Sequence, residues 1–470
     1  MPSVARVTTT LPNSTGISDR TNLPTGTDLE SGAGPAPGRA TPPHAVLGER
    51  RLAAALWCAG LATFALLYAP QGLLTDVSAS LAVSPSRAAL LVSGATLGLA
   101  ASVLPWAWLS DRIGRPEAMR AAAIVSAVLA VLVPWLPTFE LLVVGRFVQG
   151  AALGGIPALA IALVHDCALP TRAAALAGSY VAATSVGGLA GRLLSVPVAQ
   201  HLGWRMGLVA VGACLTALMV LLVLLLPRVR EHRARAAARL AAAARAEPTG
   251  SGAHLRAHLR DGTLVSLFCI GGLLVGGLAA VFNYLPFRLE AQPYGLAPTV
   301  VSLVFLTYLA GTVGSRLAGA LSDRWSPRVV LVLACALMGA GALVTLARPL
   351  VVVVLGVTVL TTGLFVGHAV AASRVGARAT TGRAQATALY TVVYYAGASL
   401  FGWLAGHAWD ASGWPAVVTL VVVLAATALL LAAVPHEPRP PRPQDTPAGY
   451  LGRYPAGVSR GEGRQVSGTA

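Results

Sequence analysis

The chain has 470 residues, of which 55% are hydrophobic and only 11% charged, a balance that ordinary water-soluble domains do not show. Its 34 basic residues are all arginine, so a P-loop ATPase lysine and a lysine Schiff base are both excluded. The net charge of +16 lies in loops and tails rather than on one basic folded face, which argues against nucleic-acid binding.

Residues 1–51 are rich in Ser, Thr, Pro and Gly with no apolar run, and read as a disordered cytoplasmic tail. The first apolar stretch follows Arg50-Arg51 and is long enough to span a bilayer, so it is expected to stay in the protein rather than be cleaved as a signal. From there twelve spans are expected at 53–78, 87–109, 118–136, 139–163, 173–199, 205–226, 263–288, 298–321, 329–347, 350–373, 384–408 and 414–434. Each is long enough to cross a hydrocarbon core of about 30 Å. The fold class is therefore an all-α membrane protein of twelve transmembrane helices. Placing the N-terminus in the cytoplasm leaves only Arg87, Arg205, Arg288 and Arg348 outside, which by the positive-inside rule sets both termini in the cytoplasm of a multi-pass cell-membrane protein.

The basic connection 228–262 divides the spans into bundles of six, 52–227 and 263–435, and a disordered tail follows at 436–470. Eight arginines make this linker a topological anchor and a candidate contact for anionic lipid. The external connections are too short for a catalytic cluster, which sets a polytopic membrane enzyme aside. Cys58, Cys167, Cys214, Cys269 and Cys335 are scattered without disulfide or metal-ligand spacing. No cofactor or metal is expected.

The two bundles are copies. Leu109-Ser110-Asp111-Arg112-Ile113-Gly114-Arg115-Pro116 is echoed 212 residues later by Leu321-Ser322-Asp323-Arg324-Trp325-Ser326-Pro327-Arg328. Tyr68-Ala69-Pro70 matches Tyr284-Leu285-Pro286, Tyr180 matches Tyr390, and Gly203-Trp204 matches Gly413-Trp414, at offsets of 216, 210 and 210. Parallel repeats of this kind place a binding site at their interface near mid-membrane and predict a tunnel between rocking halves. Small residues recur every four positions at Ala183, Gly187 and Gly191, at Ala398, Gly402 and Gly406, and at Gly150 and Gly154, a spacing that lets helices approach closely.

An arginine inside a span costs roughly 2.5–3.5 kcal/mol unless it finds a partner or a watery cavity. Arg146 and Arg192 each lie about 10 Å below the outer surface at 1.5 Å per residue. They are candidates for a paired cationic site for an anionic or polyhydroxylated solute; alternatively each pairs with a carboxylate such as Asp76 or Glu140. Arg316 is expected to snorkel or to join the charges near Asp323. His368, whose unperturbed pKa of about 6.5 suits a proton carrier, is the other coupling candidate. Gln71, Asn283, Tyr308, Tyr394 and Tyr395, with Gln149 beside Arg146, complete the candidate substrate or coupling set.

Leu109-Ser110-Asp111-Arg112-Ile113-Gly114-Arg115 resembles the hinge motif between the second and third spans of the major facilitator superfamily, and Arg146-Phe147-Val148-Gln149-Gly150 resembles its fourth-span motif. Within that superfamily, Val186 to Leu193, Gly367-His368 and Tyr394-Tyr395-Ala396-Gly397 are similar to a bacterial group described as arabinose-efflux-type or drug-efflux transporters. Ala107, Pro116, Ser326 and Pro327 depart from the hinge pattern, and the fifth span lacks the Gly-Pro pair of proton-coupled drug antiporters. The resemblance implies two pseudo-symmetric six-helix bundles and a secondary transporter working by alternating access. Its gate would be Asp111, Arg112, Gly114 and Arg115 with Asp323 and Arg324. Its partners would be a small drug-like, sugar-like or organic-anion solute, a proton moving in antiport, and the lipid bilayer, with the chain acting as a monomer. Uptake by a facilitator or symporter stands as the alternative.

Overall fold

A computed structural model describes residues 43–226 and 251–434; the expected tails and most of the linker, 227–250, lie outside the described residues. Twelve helices among them are long and apolar enough to cross a membrane. We number these α1 (Gly48–Gly72), α2 (Pro85–Ile113), α3 (Arg115–Trp135), α4 (Phe139–Cys167), α5 (Thr171–Leu202), α6 (Trp204–Leu225), α7 (Gly262–Glu290), α8 (Pro298–Trp325), α9 (Pro327–Val344), α10 (Leu350–Arg378), α11 (Arg383–Ser412) and α12 (Trp414–Ala433). Several run beyond the apolar cores expected for them: the first helix extends back to Pro43, and α10 and α11 reach Arg378 and Ser412. Polar residues at a span end meet headgroups and water, so the backbone continues helical where hydropathy has already fallen.

Proline opens many of these helices, at Pro85, Pro116, Pro170, Pro298, Pro327 and Pro415, where its missing N–H would have had no partner anyway. Each bundle has its own core. Leu56, Leu99, Met119, Leu159 and Leu222 are among the buried residues of the N-terminal one, and Phe268, Leu274, Met338, Val357 and Val421 of the C-terminal one.

The hinges confirm the repeat at backbone level. Gly114 has φ 95° and ψ 145°, and Ser326, at the matching place, has φ 72° and ψ 145°. A side chain in that region costs on the order of 1–3 kcal/mol, and Ser326 offsets part of it by capping Val329 N at 3.5 Å. Close approach is clearest where α2 crosses α4: a Cβ on Gly98 or Gly150 would overlap the backbone carbonyl of Phe147 or Ala95. Gly187 and Gly191 meet Leu61 and Ala65 of α1 in the same way, and Gly154 meets Ser102. Gly402 differs, since its neighbours are the side chains of Asn283 and Ser93 rather than a helix backbone.

The end of the linker is structured. A helix Ser251–Arg260 precedes α7, and His258 Nε2 lies 3.1 Å from the Gly382 carbonyl in the α10–α11 connection. Asp261 caps α7, accepting from Thr263 N at 3.0 Å and Leu264 N at 3.3 Å, and pairs with Arg378 at 3.1 Å. Burial raises the Asp261 carboxyl, but these donors and the guanidinium outweigh it and hold the group below the usual carboxylate range.

Candidate functional site

The strongest clues in the sequence, Arg146 and Arg192, separate in the structure into two environments. Arg146 is buried in α4 and donates from Nε to Leu91 O at 3.0 Å, from Nη1 to Leu66 O at 3.2 Å and from Nη2 to Leu67 O at 2.6 Å, with a further bond to Gln149. Pro70 explains the arrangement. Lacking an N–H, it leaves the Leu66 carbonyl one turn earlier without its helical donor, and α1 ends in a 3-10 turn, Ala69–Gly72. Arg146 supplies the missing donor and ties α4 to α1 and α2.

Arg192 sits where the bundles meet and is fully buried. Its Nε donates to Gln71 Oε1 at 2.7 Å, Nη1 to Gly188 O at 2.5 Å and Nη2 to the Tyr308 hydroxyl of the other bundle at 3.1 Å. The guanidinium lies over the rings of Tyr68, Tyr308 and Phe305 at 4.4, 4.7 and 5.1 Å. Among the described residues neither arginine has a carboxylate within ion-pair distance, and Glu140, a candidate partner, instead pairs with Arg87 at 2.5 Å. Three π faces and three acceptors hold the charge in place of an anion. The two arginines share no hydrogen-bond acceptor, so the paired site expected from the sequence is not formed in this state.

The polar network continues across the interface. Gln71 Nε2 donates to Asn283 Oδ1 at 2.6 Å, while Asn283 Nδ2 and Ser93 Oγ are buried with no partner. The remaining hydrogen bonds between the bundles among the described residues are Thr75 to Glu290 at 3.1 Å, Ser86 to Asp410 at 2.5 Å and Ser399 to the Ser93 carbonyl at 2.7 Å. All lie toward the membrane face opposite the hinges, here called the far face. Asp76, beside Thr75, is half-buried, and burial pushes its carboxyl up.

At the hinge face, Asp111, Arg112, Asp323 and Arg324 are exposed, and none makes a hydrogen bond or ion pair among the described residues. Arg112 stacks on Trp108 at 3.6 Å, and Arg115 is bound to Asp166 at the end of α4 within its own bundle. Arg316 is exposed and does not reach Asp323, so the expected junction with the hinge charges is absent. The state described is thus closed at the far face with the hinge charges disengaged.

His368 lies away from Arg192. Its Nδ1 is 2.8 Å from the Tyr390 hydroxyl and its ring packs on Tyr394 at 4.6 Å. Tyr394 meets Tyr395 at 5.1 Å, and Tyr395 reaches Phe64 of the opposite bundle at 6.5 Å. A crevice of about 1000 Å³ lies elsewhere, between α2 and α4 on one side and α7, α11 and α12 on the other, with apolar walls such as Leu97, Phe147 and Leu400 open to the bundle surface. Sequence reasoning missed Phe64, Thr75 and Glu290. Only Glu290 carried a signal, as an acid at a span end.

Two six-helix bundles with their interface at mid-membrane define a membrane transporter working on a small solute. The chain belongs to the major facilitator superfamily, whose model matches residues 52–373 and 291–458. It is 34% identical over 383 residues to an uncharacterized MFS-type transporter, YybF, of Bacillus subtilis (strain 168), covering 82% of this chain and 93% of that one. It is 32% identical over 386 residues to the inner membrane transport protein YnfM of Escherichia coli (strain K12), covering 82% and 90%. Among solved structures, the xylose transporter XylE from E. coli aligns with a TM-score of 0.62 at 14% identity over 82% of this chain and 99% of that one, a likeness of fold alone.

Proposed function

We propose that this transporter exports a small organic anion in exchange for protons, with Arg192 as the counter-charge for the solute. The observation that carries the reading is a guanidinium buried at the contact between bundles with no carboxylate beside it among the described residues. A cation in that position is costly, and its present partners include groups of the opposite bundle that a rocking motion would carry away. An anion entering from the hinge face displaces the Tyr308 hydroxyl, the longest of the three hydrogen bonds, and offers a stronger, charged acceptor.

The bundles 52–227 and 263–435 move as halves around the linker 228–262, with the hinge face and both termini in the cytoplasm, as the distribution of arginine favours. Asp111 and Arg112 with Asp323 and Arg324 latch the hinge face when the far face is open. Asp76 is the candidate proton site: it sits at a cross-bundle contact that must separate in each cycle, and burial there favours its protonated form.

The test is uptake of organic anions into inside-out proteoliposomes bearing a proton gradient, with Arg192→Gln and Arg192→Lys compared at equal reconstituted amounts. Arg192→Gln should lose at least about tenfold in rate, the worth of roughly 1.4 kcal/mol, and Arg192→Lys should retain part of it. Wild-type rates in both variants, or anion transport indifferent to the proton gradient, would reject the arginine and the coupling respectively.

A further inference from the structure

We propose that the solute is an aromatic carboxylate, its ring seated among the tyrosines between the bundles and its carboxylate on Arg192; this rests on the anion reading above and specifies the rest of the molecule. Aromatic residues make up only 6% of the chain, yet they form a connected path away from the arginine. Tyr68 lies under the guanidinium at 4.4 Å, Phe64 meets Tyr68 at 6.4 Å, and Phe64 meets Tyr395 across the bundle interface at 6.5 Å. Tyr395 meets Tyr394 edge-on at 5.1 Å and 86°, and Tyr394 meets His368 at 4.6 Å. Tyr68, Phe64, Tyr394 and His368 are only partly buried, so ring surface remains open to a guest.

The chemistry of this path narrows the guest. Aromatic cages also take organic cations, but the one formal charge on this path is the guanidinium of Arg192, and no carboxylate joins the ring contacts among the described residues, so a cation is repelled. Gln71, the amide beside the guanidinium, is already bonded to Arg192 and Asn283 at its two ends, so along this path a guest meets ring faces rather than a row of amides. A flat apolar ring with one carboxylate satisfies both the π surfaces and the charge.

The experiment compares 2-naphthoate with its saturated decahydro analogue, which has the same charge and nearly the same size, by calorimetric binding to the purified full-length protein. Offset or edge-to-face ring contacts beyond area burial correspond to roughly threefold to tenfold each, so 2-naphthoate should bind about tenfold tighter. In Tyr394→Leu the ratio should fall toward one, and in Tyr394→Phe, which keeps the ring, it should persist. Equal affinities in the wild type, or a ratio unchanged in Tyr394→Leu, would overturn the ring assignment while leaving the anion reading intact. Binding of neither acid would overturn both.

Discussion

Arg146→Met separates a structural arginine from a solute-binding one. In the wild type its guanidinium serves Leu66 O, Leu67 O, Leu91 O and Gln149, at 4% exposure where water cannot replace it. Each buried acceptor left bare costs about 1–3 kcal/mol. Methionine fills similar volume without a charge to desolvate, which returns several kcal/mol of the cost. A net loss of about 3 kcal/mol remains, at the upper end of ordinary single substitutions. Melting in detergent, followed by size-exclusion chromatography of heated samples, should shift down by about 5 °C or more. Pro70→Ala in the Arg146→Met background should recover part of the loss, because an N–H at position 70 can again reach Leu66 O. Wild-type stability in Arg146→Met together with lost anion binding would refute the capping role and return this residue to the solute site.

Two acids should give opposite pH behaviour in the same melting assay. The Asp261 carboxyl is held below its ordinary 3.8 in the folded protein, so its cap and its pair with Arg378 contribute fully above 3.8 and fade as pH falls through the lowered value; Asp261→Ala should be less stable by about 1 kcal/mol at neutral pH and converge with the wild type in acid. The Asp76 carboxyl is pushed above 3.8 by burial, so below 3.8 it carries no desolvation cost, and it destabilises the folded protein as pH rises through the raised value; Asp76→Asn should be the more stable protein at neutral pH, with the difference closing in acid. Parallel pH profiles for wild type and Asp76→Asn would count against burial as the cause.

Much of the architecture was readable from residues. Hydropathy located twelve spans, and the echo of Asp111-Arg112 in Asp323-Arg324 announced a repeat that the matched backbone at Gly114 and Ser326 bears out. Span ends were legible only to within a turn or more, because helices continue into the polar interface where hydropathy no longer marks them, as at Arg378 and Ser412. The site was harder. An arginine within an apolar run shows that a partner must exist but not which one, since backbone carbonyls and aromatic faces leave no sequence signature comparable to an acid. Arg146 could have been read through Pro70, whose missing N–H implies a bare carbonyl four residues earlier. The contacts of Thr75 with Glu290 and of Phe64 with Tyr395 join residues more than 200 positions apart, and only the packing of one bundle on the other creates them.

The distribution of contacts between the bundles has a mechanical meaning. In the state described, the far face is held by a network partly shielded from water, running from Tyr308 through Arg192 and Gln71 to Asn283, with Thr75–Glu290 and Ser86–Asp410 at the rim. Asp111, Arg112, Asp323 and Arg324, which could close the opposite face, are exposed and make no ion pair among the described residues. Exposed ion pairs at that rim would contribute about 0–1 kcal/mol each, less than a buried network with a caged cation. The hinge pairs alone therefore cannot reverse the equilibrium. Something must weaken the far-face network first; in the function proposed above it would be an anion that takes Arg192 away from Tyr308, or a change of charge at Asp76 beside the Thr75–Glu290 contact. A ligand shifts such an equilibrium only by its differential affinity for the two states. In this protein that difference would reside in Arg192, because part of its present set of partners belongs to the bundle that moves.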